Sequence, residues 1–241
     1  MIRSTLVNLS FRLIATGFRF PDSKNLADFV QWSRLIDLVH RLGVNVFLDV
    51  GANRGAFSKH LRLGGYSGRL ISFEPIPEDQ QRIRALASHD DNWRVCDYAL
   101  GAESCRRSFN VNFSDDKTVF SSFLPIKQKV GEARTISVEV RRLDDVLPEL
   151  IAGIASPRIF LKMDTQGFDR QVFDGAVRYA EQIVGIQSEV SVIPLYEGMP
   201  HFTESLSHYE SFGYRLVDMF VVTRLDDRRV VEYDCVMIRC A

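Results

Sequence analysis

Val46-Phe47-Leu48-Asp49-Val50-Gly51-Ala52-Asn53-Arg54-Gly55 reads as an apolar strand that runs into a glycine turn and then a helix. Gly51 and Gly55 permit a tight turn and a close approach of backbone to a ligand, because no Cβ stands in the way. The next apolar run, Arg69 to Glu74, ends in an acid that can accept hydrogen bonds from both hydroxyls of a ribose. Strand, glycine turn, helix and acid-terminated strand together set up a nucleotide-binding α/β sheet.

Working outward, Val44 to Asp49, Trp93 to Asp97, Arg158 to Asp164 and Ile183 to Glu189 are further short apolar runs ending in an acid, the pattern of buried parallel strands. Arg54 to Leu63, Pro77 to Ala87 and Asp169 to Ala180 have helical character between them, which predicts a mostly parallel, doubly wound Rossmann-like sheet. An insertion is expected at about 101–150, where Ser108 to Phe113 and Thr135 to Arg142 alternate like hairpin arms before Leu143 to Ile151 turns helical. It should lie near the mouth of the site. After a helix at His201 to Phe212, Tyr214 to Thr223 and Val230 to Arg239 predict a C-terminal antiparallel hairpin.

Asn25 to Leu42 has helical periodicity and Gly43 stops it, so residues 1–43 are expected to form an N-terminal helical segment packed on a domain spanning 44–241. Met1 to Phe20 interleaves apolar residues with Arg3, Arg12 and Arg19, the character of a basic amphipathic helix. Two placements stay open for it, against the domain or peripherally on a membrane surface. It has no uncharged run near the roughly 20 residues that a spanning helix needs.

With 46% hydrophobic and 25% charged residues, 241 residues can bury a full core. Thirty basic against thirty-one acidic residues give no bulk attraction for nucleic acid. Cys96, Cys105, Cys235 and Cys240 show no CxxC spacing, which argues against a zinc site or a disulfide framework and fits a reducing cytoplasm. His201 and His208 lack a third ligand, so no metal is expected.

A dinucleotide turn wants G-x-G-x-x-G, yet Asn53 stands at the second glycine and Asp49 precedes the first. A carboxylate at a strand end repels a pyrophosphate and favours a cofactor carrying an ammonium and a sulfonium. S-adenosylmethionine has both and no phosphate.

The sequence resembles the FkbM-type methyltransferases over roughly residues 46 to 217. The resemblance rests on Asp49 to Gly55, Phe73-Glu74-Pro75-Ile76-Pro77, Ala99-Leu100-Gly101, Leu143-Asp144-Asp145, Leu161-Lys162-Met163-Asp164-Thr165-Gln166-Gly167 and Glu189. It implies a class I methyltransferase fold and O-methylation of hydroxyls on sugars, glycolipids or polyketides. It also implies that Asp49, Gly51, Ala52, Asn53 and Gly55 line the methionine end of S-adenosylmethionine. Glu74, Pro75 and Ile76 would hold the ribose and one adenine face, and Asp97 and Ala99 would lie at the adenine edge. The sequence departs from the family pattern at Asp97-Tyr98, where many members carry Asn, and at Gln166, where an acid is commoner.

On the acceptor side, Asp164 and Glu189 end the fourth and fifth core strands, where ligands bind in such sheets. His201 follows in a candidate substrate loop. Asp164, then Glu189, then His201 are the candidates to take a proton from an acceptor hydroxyl. The expected function is methyl transfer to the hydroxyl of a small-molecule or lipid-linked sugar, without nucleic acid. A nicotinamide-dependent oxidoreductase and a non-catalytic nucleotide-binding module are the competing readings.

Overall fold

A computed structural model describes residues 23–113, 118, 120–127 and 131–240. Chain contacts divide the protein into two units, Met1–Asp37 and Leu38–Ala241. The amphipathic stretch expected at Met1 to Phe20 lies outside the described residues. Within the first unit, helix α1 (Ser23–Arg41) begins, and it exposes Leu26, Phe29 and Val30. Gly43 (φ +60) ends that helix, with Val44 N–H donating to the Val39 carbonyl at 3.1 Å, a Schellman closure that needs a left-handed residue.

The second unit is built on seven strands. β1 (Val46–Val50), β2 (Arg69–Phe73) and β3 (Trp93–Cys96) alternate with α2 (Ala56–Leu63) and α3 (Pro77–Ala87). Later come β7 (Ile159–Met163), α5 (Asp169–Asp174), β8 (Ile183–Ser191), α6 (Phe202–Ser211), β9 (Tyr214–Arg224) and β10 (Val230–Arg239). The order in space is β3-β2-β1-β7-β8-β10-β9, parallel through β8, with β10 antiparallel to both of its neighbours. β1 is buried along its whole length, which is why its sequence is an unbroken apolar run apart from Asp49.

The insertion forms a separate three-stranded sheet, β4 (Ala99–Leu100), β6 (Glu132–Arg141) and β5 (Cys105–Phe113), in the order β4-β6-β5. β5 and β6 pair antiparallel, as the alternation predicts. β4 is too short to show a period of its own and is recruited through parallel pairing with β6. Helix α4 (Leu143–Leu150) then returns the chain to β7.

The helix expected over Asp169 to Ala180 is broken. α5 ends at Asp174, and a separate 3₁₀ turn covers Val177–Tyr179. At Gly175 a Cβ would stand 2.1 Å from the Gly101 carbonyl oxygen, and the Gly175 carbonyl accepts from Asp144 N–H at 2.8 Å. The backbone there is committed to the insertion and cannot continue a helix.

Candidate active site

At the carboxyl ends of β1, β2, β7 and β8 lies a cavity of about 250 Å³. Its apolar wall is Phe73, Ile76, Ala99, Leu100, Phe109 and Phe123, and its polar end holds Asp164, Gln166 and Glu189. Gly51, Asn53, Glu74 and Pro75 complete the cofactor side. Glu74, Asp164 and Glu189 therefore meet in one space, and among the described residues no lysine or arginine lines it. An acid-lined cavity of this kind fits a cationic sulfonium and opposes a pyrophosphate.

Glu74 is 4% exposed, and its two carboxylate oxygens accept the Asn53 and Ile76 backbone N–H groups at 2.7 and 2.9 Å. Each oxygen keeps lone-pair capacity toward the cavity. Burial pushes its carboxyl up to about 8, against the pull of those two N–H groups, and the Asp79 and Asp49 charges push the same way.

Asp49 does not reach the cavity. β1 runs one residue further than expected, to Val50, so Asp49 sits within the strand and its side chain takes the opposite face from Val50. There it is 0% exposed, accepts from Ser58 Oγ at 2.6 Å and meets Lys162 Nζ at 3.1 Å across the β1–β7 pairing. Lys162, which the sequence motif includes but gives no role, also reaches Asp164 at 3.3 Å. Burial pulls its ammonium down, but the two carboxylates outweigh burial and hold it above the ordinary lysine value.

The glycines also have a packing task, and Gly51 lines the cavity as well. A Cβ on Gly51 (φ +74) would lie 2.0 Å from the Asp164 carbonyl oxygen, and one on Gly55 (φ +77) would press on Leu86 and Ile83. Both are required by packing of the protein on itself. Ala52 is buried beside them, outside the cavity lining.

Asp97 points away. Its side chain is 67% exposed and 3.9 Å from Arg84, just past the end of β3 at Cys96. His201 is likewise absent from the cavity lining. It sits at the start of α6, its N–H bonded to Glu204 Oε2 at 2.8 Å and its Nδ1 2.8 Å from Thr203 Oγ1.

Glu189 is 8% exposed and lies well inside β8. Burial raises its carboxyl well above the ordinary value, and the charges of Asp164, Glu232, Asp234 and Asp169 raise it further. Asp169 fixes the surrounding backbone, accepting Thr165 N–H at 2.8 Å and Glu189 N–H at 3.0 Å. Phe109 and Phe123, in edge contact at 4.8 Å, come from the insertion, and no local sequence pattern marks them as lining residues.

The strand order with two central β1 and β7 neighbours, the antiparallel β10 and the acid-lined crevice at the strand ends define a class I methyltransferase fold. The chain belongs to the FkbM methyltransferase family, whose domain matches residues 49–216. It is a methyltransferase with S-adenosylmethionine as its cofactor. It is 29% identical over 205 residues to the 2-O-methyltransferase NoeI of Sinorhizobium fredii (strain NBRC 101917 / NGR234), covering 80% of this chain and 81% of that one. A precorrin-6y C5,15-methyltransferase from Geobacter metallireducens GS-15 is similar at 12% identity and a TM-score of 0.42, over 82% of this chain and 81% of that one. An rRNA methylase from Streptococcus thermophilus is similar at 6% identity and a TM-score of 0.47, over 86% and 95%. Family membership sets aside the oxidoreductase and the non-catalytic module. Among the described residues no helix is long and apolar enough to cross a membrane.

Proposed function

We propose that this enzyme methylates a hydroxyl of an uncharged, sugar-like acceptor, with Glu189 as the general base. The observation that carries this reading is the asymmetry of the two acids at the polar end of the cavity. Asp164 is ion-paired with Lys162, whereas Glu189 is buried among acids that raise its affinity for a proton. A carboxylate whose proton affinity is raised is the better acceptor of a hydroxyl proton. The 2-O-methyltransferase similar to this chain supports oxygen as the target.

Bound S-adenosylmethionine supplies a methyl group on a cationic sulfur. In the proposed arrangement Glu74 takes the ribose hydroxyls, Pro75, Ile76 and Ala99 face the adenine, and Gly51, Asn53 and Asp164 face the methionine. Glu189 accepts the acceptor's proton as its oxygen attacks, and the apolar wall keeps bulk water from competing. Membrane contact through the N-terminal residues would suit a lipid-linked sugar.

A screen of methyl glycosides with labelled S-adenosylmethionine, read by product NMR, tests the reading. Methylation of amines or carbon centres with no neutral sugar turned over would overturn it. Because the polar end is acidic, a neutral glycoside should be methylated roughly tenfold faster than its phosphorylated analogue. Equal rates for the two would remove the charge argument.

Cofactor affinity should also depend on pH through Glu74. Ribose hydroxyls donate to the carboxylate form, so binding below about pH 8 has to displace a proton. Affinity is expected to weaken as pH falls from 8 toward 6, by up to about tenfold per unit. Glu74→Ala should bind about 1 to 3 kcal/mol more weakly and flatten the dependence. Calorimetric titration across that range decides it, and an unchanged slope in the variant would assign the proton elsewhere.

A further inference from the structure

The turn after β7 holds Gln166 at φ +54, in the left-handed region that side chains other than glycine occupy at a cost. Its amide is fully engaged there. Nε2 donates to Glu189 Oε2 at 2.7 Å and reaches Asp164 Oδ1 at 3.4 Å. On the other side Oε1 accepts from the Tyr196 hydroxyl at 2.8 Å, and the Gln166 carbonyl accepts from Ser122 Oγ at 2.7 Å. Tyr196 is 0% exposed and its hydroxyl also lies 3.1 Å from the Phe120 carbonyl.

This arrangement fixes the amide in one orientation. The Tyr196 hydroxyl has one proton and lies nearer to Oε1 than to the Phe120 carbonyl; with that proton on Oε1, Nε2 faces the acids, and its two hydrogens serve two carboxylates that would otherwise repel each other. With Oε2 held by the amide, the Oε1 oxygen of Glu189 is the one left for an acceptor hydroxyl. Gln166 itself carries no charge. It can therefore orient Glu189 without joining the titration of the acids around it. Those are Asp164 at the end of β7, Asp169 on α5, and Glu232 and Asp234 on β10, with the Tyr196 phenol alongside.

We propose that Gln166 is a positioning residue, an amide clamp anchored on Tyr196 that aims the Glu189 carboxylate at the acceptor hydroxyl. The inference rests on Glu189 being the base. A glutamate in place of Gln166 would add a third carboxylate against Asp164 and Glu189 and abolish the donor.

Gln166→Gly is the informative variant, because glycine adopts the left-handed backbone freely and keeps the turn. The full chain should keep its thermal midpoint and its S-adenosylmethionine affinity. Its kcat on the methyl glycoside identified by the screen should fall about 100-fold, as expected when a reacting group is misplaced by about an ångström. A second readout needs no acceptor. With glutamate labelled at the side-chain carboxyl carbon and Glu189 assigned through Glu189→Gln, NMR titration should show the Glu189 midpoint moving upward in Gln166→Gly, since a donor to its ionised form is lost. Gln166→Asn, which restores an amide and tolerates the same backbone, should recover part of kcat. Tyr196→Phe should lower kcat in the native background and add nothing in Gln166→Gly. An inactive Glu189→Gln alongside a Gln166→Gly of native kcat and native Glu189 titration would overturn the clamp alone. A fully active Glu189→Gln would overturn the base assignment and the clamp with it.

Discussion

Glu189→Gln is expected to lower kcat on a hydroxyl acceptor by about 10² to 10⁴, the usual worth of a positioned general base. Glutamine keeps the shape of the side chain and can still meet the Gln166 amide, so folding and S-adenosylmethionine affinity should stay within a few-fold of native. The residual rate would come from alignment of the acceptor with the methyl group. Asp164→Asn is expected to behave differently. Its carboxylate is already ion-paired with Lys162 and its side chain is 39% exposed, so the main loss should be in cofactor binding. In the native enzyme, turnover should rise with pH as Glu189 ionises, since burial and neighbouring acids favour its protonated form. Rapid-quench kinetics separates methyl transfer from binding. If Glu189→Gln transfers methyl at the native rate while Asp164→Asn does not, the roles of the two acids are exchanged.

The second large effect concerns the fold. Lys162→Met should cost about 3 to 5 kcal/mol of stability, because it leaves the Asp49 carboxylate buried without its cation. Ser58 would remain as a partner, which is too little for a full charge. Replacing both partners, Asp49→Leu with Lys162→Met, should recover most of the loss, since two apolar side chains suit that face. Urea unfolding with a two-state fit measures both variants. A loss below about 1 kcal/mol in Lys162→Met would mean that water reaches Asp49 and screens it.

The outcome for Asp49 bears on how cofactor choice is read. Its carboxylate was expected to face the sulfonium, but it faces Lys162 and Ser58 inside the sheet. The acids that do line the cavity are Glu74, Asp164 and Glu189. The acidic lining that argues against a phosphate is thus supplied by other residues than Asp49. Likewise the close approach of Asp164 to Gly51, and of Ile83 and Leu86 to Gly55, calls for glycine at both positions on packing grounds alone, and Gly51 also lines the cavity.

What the sequence by itself determined is the layout. Short apolar runs bounded by glycine and acid, with helical periodicity between, are local signals, and they marked β1, β2, β3, β7, β8 and the closing β9–β10 pair to within a residue or two. Glu74, Asp164 and Glu189 were legible for the same reason, since a residue at or near the carboxyl end of a buried parallel strand opens onto the crevice whatever else the chain does. Which face each residue takes was left to tertiary structure. A strand alternates sides residue by residue, so extending β1 by one position to Val50 turned Asp49 from the ligand to Lys162. The same holds for contacts that join distant segments. Gln166 meets Tyr196 across 30 positions, and Phe109 and Phe123 arrive from an insertion that pairs with itself before it covers the cavity. No periodicity records such meetings, because they join residues far apart in the chain and depend on where the whole fold places them.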